Sequence, residues 1–233
     1  MLNMYHNNHI TVVIPAFNEQ ESLPKVLSDI PKGIADEIIV VDNNSTDETA
    51  SVATRCGAKV VREERAGYGA ACLRGISEIK HTDILVILDG DYSDYPQQMS
   101  QILDPIVKQE ADFVLGSRVL GNRQKGALMP QAYWGNKLSV FLIKLFFGFS
   151  FTDMGPFRAI RFQSLKELNM RDANFGWNVE MQVKAIKRGL KIREVPVDYR
   201  VRIGSSKISG TIRGTILAGT KILFTIFKYI IYA

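Results

Sequence analysis

Short apolar runs, each broken by a polar loop rich in Asp, Asn or Gly, recur through the first half of the chain. Ile10 to Ile14 is dominated by β-branched residues and predicts a strand that stops at Pro15. After the polar turn Phe17-Asn18-Glu19, the segment Ser22 to Asp29 predicts a short helix. Ile38 to Val41 predicts a second strand, almost wholly apolar as expected when both faces are covered. It runs into Asp42-Asn43-Asn44-Ser45-Thr46-Asp47, where Ser45 or Thr46 is expected to cap the next helix, with Asp47 and Glu48 in its first turn. Lys59 to Arg62 predicts a third strand, followed by Gly67-Tyr68-Gly69 and a helix from Ala70 to Glu78. Ile84 to Leu88 predicts a fourth, delivering Asp89, Gly90 and Asp91 at its end.

The pattern continues with a helix around Met99 to Glu110 and a strand at Phe113 to Gly116, leading to Ser117 and Arg118. Leu120 to Pro130 reads as a mobile loop. Leu138 to Phe151 is nearly all apolar and predicts a helix with broad apolar contact, in a core or on a membrane face. A helix from Val179 to Arg188 should end at Gly189, and Lys191 to Val197 predicts a final strand. Ile208 to Tyr232 mixes Arg213, Lys221 and Lys228 with many apolar residues, as an interfacial helix would. Strand, polar loop and helix in alternation argue for an α/β fold with a mostly parallel central sheet, right-handed crossovers and helices on both faces. Ligands of such sheets bind beyond the C-terminal strand ends, where the polar loops converge.

A length of 233 residues suits one large α/β domain with a short appendage, and the spacing shows no tandem repeat. Cys56 and Cys72 have no companion at metal-ligand spacing, so both read as buried thiols. Met1 to Ile10 does not read as a secretory signal, and no run reaches the roughly 18 apolar residues of a bilayer-spanning helix. Charge changes the picture more. From Lys184 onward there are eleven Lys or Arg against only Glu194 and Asp198, so the positive charge is concentrated at one end of the sequence. Such an end suits phosphate groups or an anionic membrane surface. No nucleic-acid-binding motif or stacking platform accompanies it, so nucleic acid is not expected as a partner.

Asp89 and Asp91, hard oxygen donors directly after a buried strand, suit Mg²⁺ or Mn²⁺ beside a substrate diphosphate. An acidic surface turn would look the same in isolation. Asp42 should open into the same crevice and accept hydrogen bonds from a base or ribose. Gly67 and Gly69 permit close approach of backbone to an anion at a helix N-terminus. No dinucleotide fingerprint follows the first strand and no Walker loop is present, so neither NAD nor FAD is expected. Arg200, Arg202, Ser205, Ser206 and Lys207 suit a loop that folds over phosphates, against the plainer reading of a solvated basic loop. Glu180 is a further pocket carboxylate candidate. The three histidines are dispersed, and Trp134 and Trp177 read as packing residues.

Eight stretches in order give these residues a common context: VVIPAFNEQESL from Val12, VVDNNSTDETA from Val40, GYGAA from Gly67, LDGDYSDYP from Leu88, VLGSR ending at Arg118, TDMGPFRAIR from Thr152, GWNVEMQVKA from Gly176 and VPVDYRVRIGSSKISGT from Val195. The chain resembles the family 2 glycosyltransferases of the GT-A fold, and within them the polyprenyl-phosphate or dolichyl-phosphate mannosyl- and glucosyltransferases. The resemblance implies metal and diphosphate binding at Asp89 and Asp91, with a third acidic position at Asp94, and base and ribose contacts at Pro15, Asn18, Glu19 and Asp42. It places Arg118 and Lys207 near phosphates. Many members with hydroxyl acceptors carry a Glu-Asp pair where this chain has Asn178, Val179 and Glu180, which departs from a hydroxyl-activating base. A lipid phosphate is ionised near neutral pH and needs none.

The expectation is therefore inverting transfer of glucose or mannose from UDP-glucose or GDP-mannose to a polyprenyl or dolichyl phosphate. Residues 1–207 would form the catalytic domain. Residues 208–233 would form an amphipathic segment attached peripherally at the cytoplasmic face of the cell membrane, with an integral-membrane protein as a further partner. The alternatives are transfer to a glycan or glycolipid hydroxyl with Glu180 as base, and a non-catalytic sugar-nucleotide-binding membrane protein.

Overall fold

The computed structural model describes residues 5–204 and 212–231. Four strand-helix units open the chain: β1 (Ile10–Ala16) and α1 (Leu23–Asp29), β2 (Glu37–Asp42) and α2 (Thr49–Arg55), β3 (Lys59–Arg62) and α3 (Tyr68–Ser77), β4 (Ile84–Ile87) and α4 (Met99–Val107). There follow β5 (Phe113–Ser117), α5 (Pro130–Phe147), β6 (Arg158–Arg161), α6 (Phe162–Leu168), α7 (Trp177–Lys187), β7 (Ile192–Pro196) and α8 (Ile212–Ile231). The seven strands form one sheet in the order β3-β2-β1-β4-β6-β5-β7, and β6 alone runs antiparallel to its neighbours.

Two-residue periodicity sends β1 side chains to both faces. Val12 and Ile14 pack with Leu23, Val26, Ile102 and Leu103 from α1 and α4. Val13 joins Ile39, Leu85 and Ile87 beneath Ala71 and Trp177 on the other face. Burial on both faces is why these strands are continuous apolar runs. Gly75 sets the height of α3 over the sheet: a Cβ there would lie 2.6 Å from Val13 Cγ1 and 2.9 Å from Val41 Cγ2. A third cluster, with Ile143, Val183 and Ile226 at its centre, joins α5, α7 and α8 at one side.

The structure departs from the sequence reading at several points. β6 was not anticipated; it separates β4 from β5 and interrupts the parallel run. α5 begins at Pro130, whose fixed φ suits a first helical turn, and ends at Gly148 in the left-handed region, before Phe149 to Phe151. α2 begins at Thr49 without a side-chain cap. Ser45 and Thr46 instead bond to Asn18, and Asp47 accepts from the Thr49 amide at 3.0 Å. Cys56 is exposed, whereas Cys72 is buried. The 120–130 loop is tied down, with the Asn122 amide donating to Asp198 at 2.9 Å and the Gln124 amide to Tyr199 O at 2.8 Å. α8 docks on α5 and α7. No described helix is long and apolar enough to cross a membrane.

Candidate active site

Parallel register brings the C-terminal ends of β1, β2 and β4 side by side, with Ala16 opposite Asp42 and Val13 opposite Ile87. Beyond these ends lies a cavity of about 370 Å³, within the range of small-molecule sites. Six of the residues expected at the site line it: Pro15, Glu19, Gly67, Asp89, Asp91 and Arg202. Tyr68, Asn174 and Phe175 complete its far wall.

The acidic floor has an unusual charge balance. Asp89 accepts a hydrogen bond from the Tyr68 hydroxyl at 3.0 Å. Asp91 accepts from the Ser93 amide at 2.9 Å and faces the Arg202 guanidinium at 3.1 Å, which also reaches Glu19 at 2.7 Å. Asp94 is almost completely buried, and neither of its carboxylate oxygens has a hydrogen-bond partner among the described residues. Burial, reinforced by the charge of Asp91, pushes the Asp89 carboxyl up to about 7. Burial, then Asp89 and Asp91, pushes Asp94 well above the ordinary carboxylate range.

Two arginines lie behind this floor, Arg118 largely and Arg158 fully withdrawn from solvent. Arg118 grips the buried Asp153 through two side-chain contacts of 2.8 Å, and its guanidinium lies 5.0 Å from the Tyr199 ring centre. Burial works against its charge, but Asp153 holds it firmly protonated. Arg158 is fully buried and has no carboxylate partner among the described residues; it donates to the carbonyls of Gly155 and Asn178, and burial lowers it to about 10. Its place follows from β6, where it pairs with Ile87 of β4 just before the acidic turn. The sequence marked Asp153 and Arg158 only as members of a longer stretch. Three charged residues, Asp153, Arg158 and Arg161, within the largely apolar TDMGPFRAIR were the available signal.

Other expected residues serve the frame of the site. Asp42 accepts from the Ser45 amide at 3.1 Å, and Asn18 Oδ1 from the Thr46 amide at 2.8 Å, so both shape the 43–47 loop. Asn43 donates to Glu63 O and Arg65 O and accepts from the Gly67 amide at 2.9 Å, locking that loop to the start of α3. The two glycines accommodate protein backbone: a Cβ on Gly69 would lie 2.0 Å from Asp172 O, and one on Gly67 2.2 Å from Ala173 O. The close approach attributed to a ligand is therefore made by the 172–173 segment, although Gly67 also faces the cavity.

Arg200 does not line the cavity. Its guanidinium stacks on Tyr92, 3.2 Å from the ring centre, and donates to Tyr92 O and Asp94 O. Glu180 is also withdrawn from it. Its carboxylate accepts from the amides of Arg171 and Asp172 and from Tyr229, and pairs with Lys184 at 2.7 Å. That corrects the view of Glu180 as a pocket carboxylate: it anchors the 171–174 segment from behind. Lys207, Ser205 and Ser206 lie outside the described residues. Trp177 is packed as expected, but Trp134 is 65% exposed.

Known proteins place this geometry. The family model described as glycosyl transferase family 2 matches residues 11–168. An uncharacterized glycosyltransferase of Mycobacterium tuberculosis is 37% identical over 215 residues, covering 90% of this chain and 94% of that protein. The undecaprenyl-phosphate mannosyltransferase of Micrococcus luteus is 29% identical over 223 residues, covering 88% and 89%. Among solved structures, glucosyl-3-phosphoglycerate synthase of M. tuberculosis, in complex with Mn²⁺, UDP-glucose and phosphoglyceric acid, superposes with a TM-score of 0.77 at 21% identity, covering 96% of this chain and 80% of that one. With its acidic turn at the C-terminal edge of a mostly parallel sheet, this chain is a member of glycosyl transferase family 2 with the GT-A fold.

Proposed function

We propose that the protein transfers a hexose, glucose or mannose, from a nucleoside-diphosphate sugar to the phosphate of a polyprenyl or dolichyl lipid at a membrane surface. The observation that carries this reading is an apolar stripe on α5. Trp134, Leu138, Phe141 and Leu145 recur at helical spacing and are all exposed. Phe146 continues it to Phe227 of α8 with ring centres 5.9 Å apart, and Phe224 is exposed beside them. A contiguous apolar surface of this kind suits a lipid acceptor. The similarity to an undecaprenyl-phosphate mannosyltransferase supports the same acceptor class. In this reading residues 1–207 carry the chemistry, and residues 208–233 contribute the membrane-facing side, with peripheral attachment.

The acidic floor fits a divalent cation. Asp89 and Asp91 supply hard oxygen donors at the cavity, and Asp94, whose oxygens have no hydrogen-bond partner among the described residues, would be drawn toward its charged form by a cation bound beside it. Among the described residues no group of three or more candidate ligands forms a closed cage. One or two carboxylates completed by substrate phosphates is the usual arrangement for Mg²⁺, and Mn²⁺ is equally suited to oxygen donors. Bound there, the cation would neutralise charge on the departing diphosphate. Arg202 holds Glu19 and Asp91 together and presents a cation to phosphate oxygens. Arg118 sets the field behind Asp94. Lys207 is assigned to phosphate neutralisation. The acceptor phosphate oxygen attacks the anomeric carbon as the bond to the diphosphate breaks and the electron pair leaves with it. No proton need be removed, which agrees with the occupied carboxylate of Glu180.

Incubating purified protein and Mn²⁺ with polyprenyl phosphate in detergent, and with UDP-glucose or GDP-mannose in separate reactions, tests this reading. A glycosyl phospholipid from one donor is expected. Turnover confined to hydroxyl acceptors would overturn it.

A further inference from the structure

A second cavity, of about 280 Å³, opens between residues 65–66, the 171–174 segment and α8. Ala66 and Asn174 line both this cavity and the active-site crevice. Among the described residues, Arg65, Arg171, Lys221 and Lys228 line it against one carboxylate, Asp172. Among the described residues Lys221 alone of the four is ion-paired, to Asp172 at 2.9 Å. Glu180 behind the segment is taken by Lys184 and Tyr229 and does not offset the others.

Four cations from three separate stretches of chain converge here on a concave surface. Like charges so arranged repel, and a cleft lined by one sign concentrates its field on an incoming anion. The Asp172 carboxylate is already engaged, its Oδ2 by Lys221 and its Oδ1 by the Asn174 amide at 2.8 Å, while its own amide is held by Glu180 at 2.6 Å. Lys221 and Lys228 stand two helical turns apart on the same side of α8, while Phe224 and Phe227 on that helix are exposed.

We propose that this pocket binds a phosphate-bearing anion, distinct from the donor diphosphate. Two sources share that chemistry. A phospholipid headgroup would place its phosphate among Arg65, Arg171 and Lys228 and its acyl chains along Phe224 and Phe227. A free phosphate would use the cations alone. Such a site stands whether or not the transferred sugar goes to a lipid phosphate.

The full chain carrying Arg65→Gln and Arg171→Gln tests it. Both side chains are exposed, so the melting temperature should hold. Lys32→Gln with Lys80→Gln, two exposed lysines that do not line the pocket, gives a control of equal charge. One arm measures co-sedimentation with phosphatidylcholine vesicles with and without phosphatidylglycerol; the other titrates inorganic phosphate calorimetrically. For a headgroup, the pocket variant should bind anionic vesicles about tenfold more weakly than the control. For free phosphate, the parent should show saturable binding that the pocket variant loses, with vesicle binding equal in both. A pocket variant matching the control in both arms would overturn the proposal.

Discussion

Asp91 stands between two kinds of partner, the Ser93 amide and the Arg202 guanidinium, and opens to the cavity. Asp91→Asn keeps the shape and the Ser93 contact but removes the charge. Transfer is expected to fall by at least about a hundredfold with little change in melting temperature, because the interaction lost acts on charge developing in the transition state. Activity within twofold of the parent, measured as donor turnover with Mn²⁺, would remove Asp91 from that role. Asp89 gives a second prediction. Its carboxyl is raised from 3.8 to about 7 in the fold, so between those values the folded chain holds a proton that the unfolded chain has lost. Without metal, stability should fall as pH rises through this window, and Asp89→Asn should flatten the decline. Melting curves in EDTA from pH 4 to 8 are the check, and an unchanged slope in the variant would contradict it. At this scale the sequence identified the acidic turn but not its frame. Asp89 and Asp91 could be read because a buried strand runs straight into them. Asp153 and Arg158 could not, since their roles come from strands distant in sequence.

Elements whose character is local were legible, and those defined by partners were not. β1 to β4 announced themselves as apolar runs because both faces are covered. β6 is four residues long and bounded by Arg158 and Arg161, so no periodicity separates it from a loop. α5 was placed by its apolar density, which hid its true start at Pro130. The exposed stripe of α5 supports a direct test. Phe141→Ser with Leu145→Ser should leave the melting temperature nearly unchanged, since both side chains face outward. It should reduce activity on liposome-borne polyprenyl phosphate severalfold while sparing a water-soluble short-chain acceptor. Equal losses on both acceptors would count against a lipid-facing role. The 171–174 segment supports another test. Glu180→Gln weakens the ion pair to Lys184 and the clamp on two amides, at a cost of about 1–3 kcal/mol. The Asn174 wall should loosen and donor KM should rise, while the acidic limb of the pH-rate profile stays in place. A shifted limb would restore Glu180 as a titrating base.

At the scale of the molecule, the order of motifs was enough to read a mostly parallel sheet, because each loop with chemistry-bearing residues follows an apolar strand. The fit of the C-terminal helix was not legible. Its composition suggested an appendage, yet Thr225 and Ile226 are buried and Tyr229 bonds to Glu180. Ending the chain at Gly219 should therefore lower the melting temperature of the whole protein, since deleting one buried Ile side chain alone costs about 2–5 kcal/mol. Phe224→Ser should not, because that side chain faces outward. If the shortened chain melts like the parent, α8 is not part of the cooperative unit. β6 adds a constraint of time. β4 finds one neighbour, β1, early in synthesis, but its other edge stays open until residues 158–161 emerge and insert between β4 and β5. Pairings so distant in sequence are slow to form. The strand that carries Asp89 and Asp91 at its end is thus completed late, and a nascent chain ending before Arg158 would expose an unpaired apolar edge rather than a working crevice.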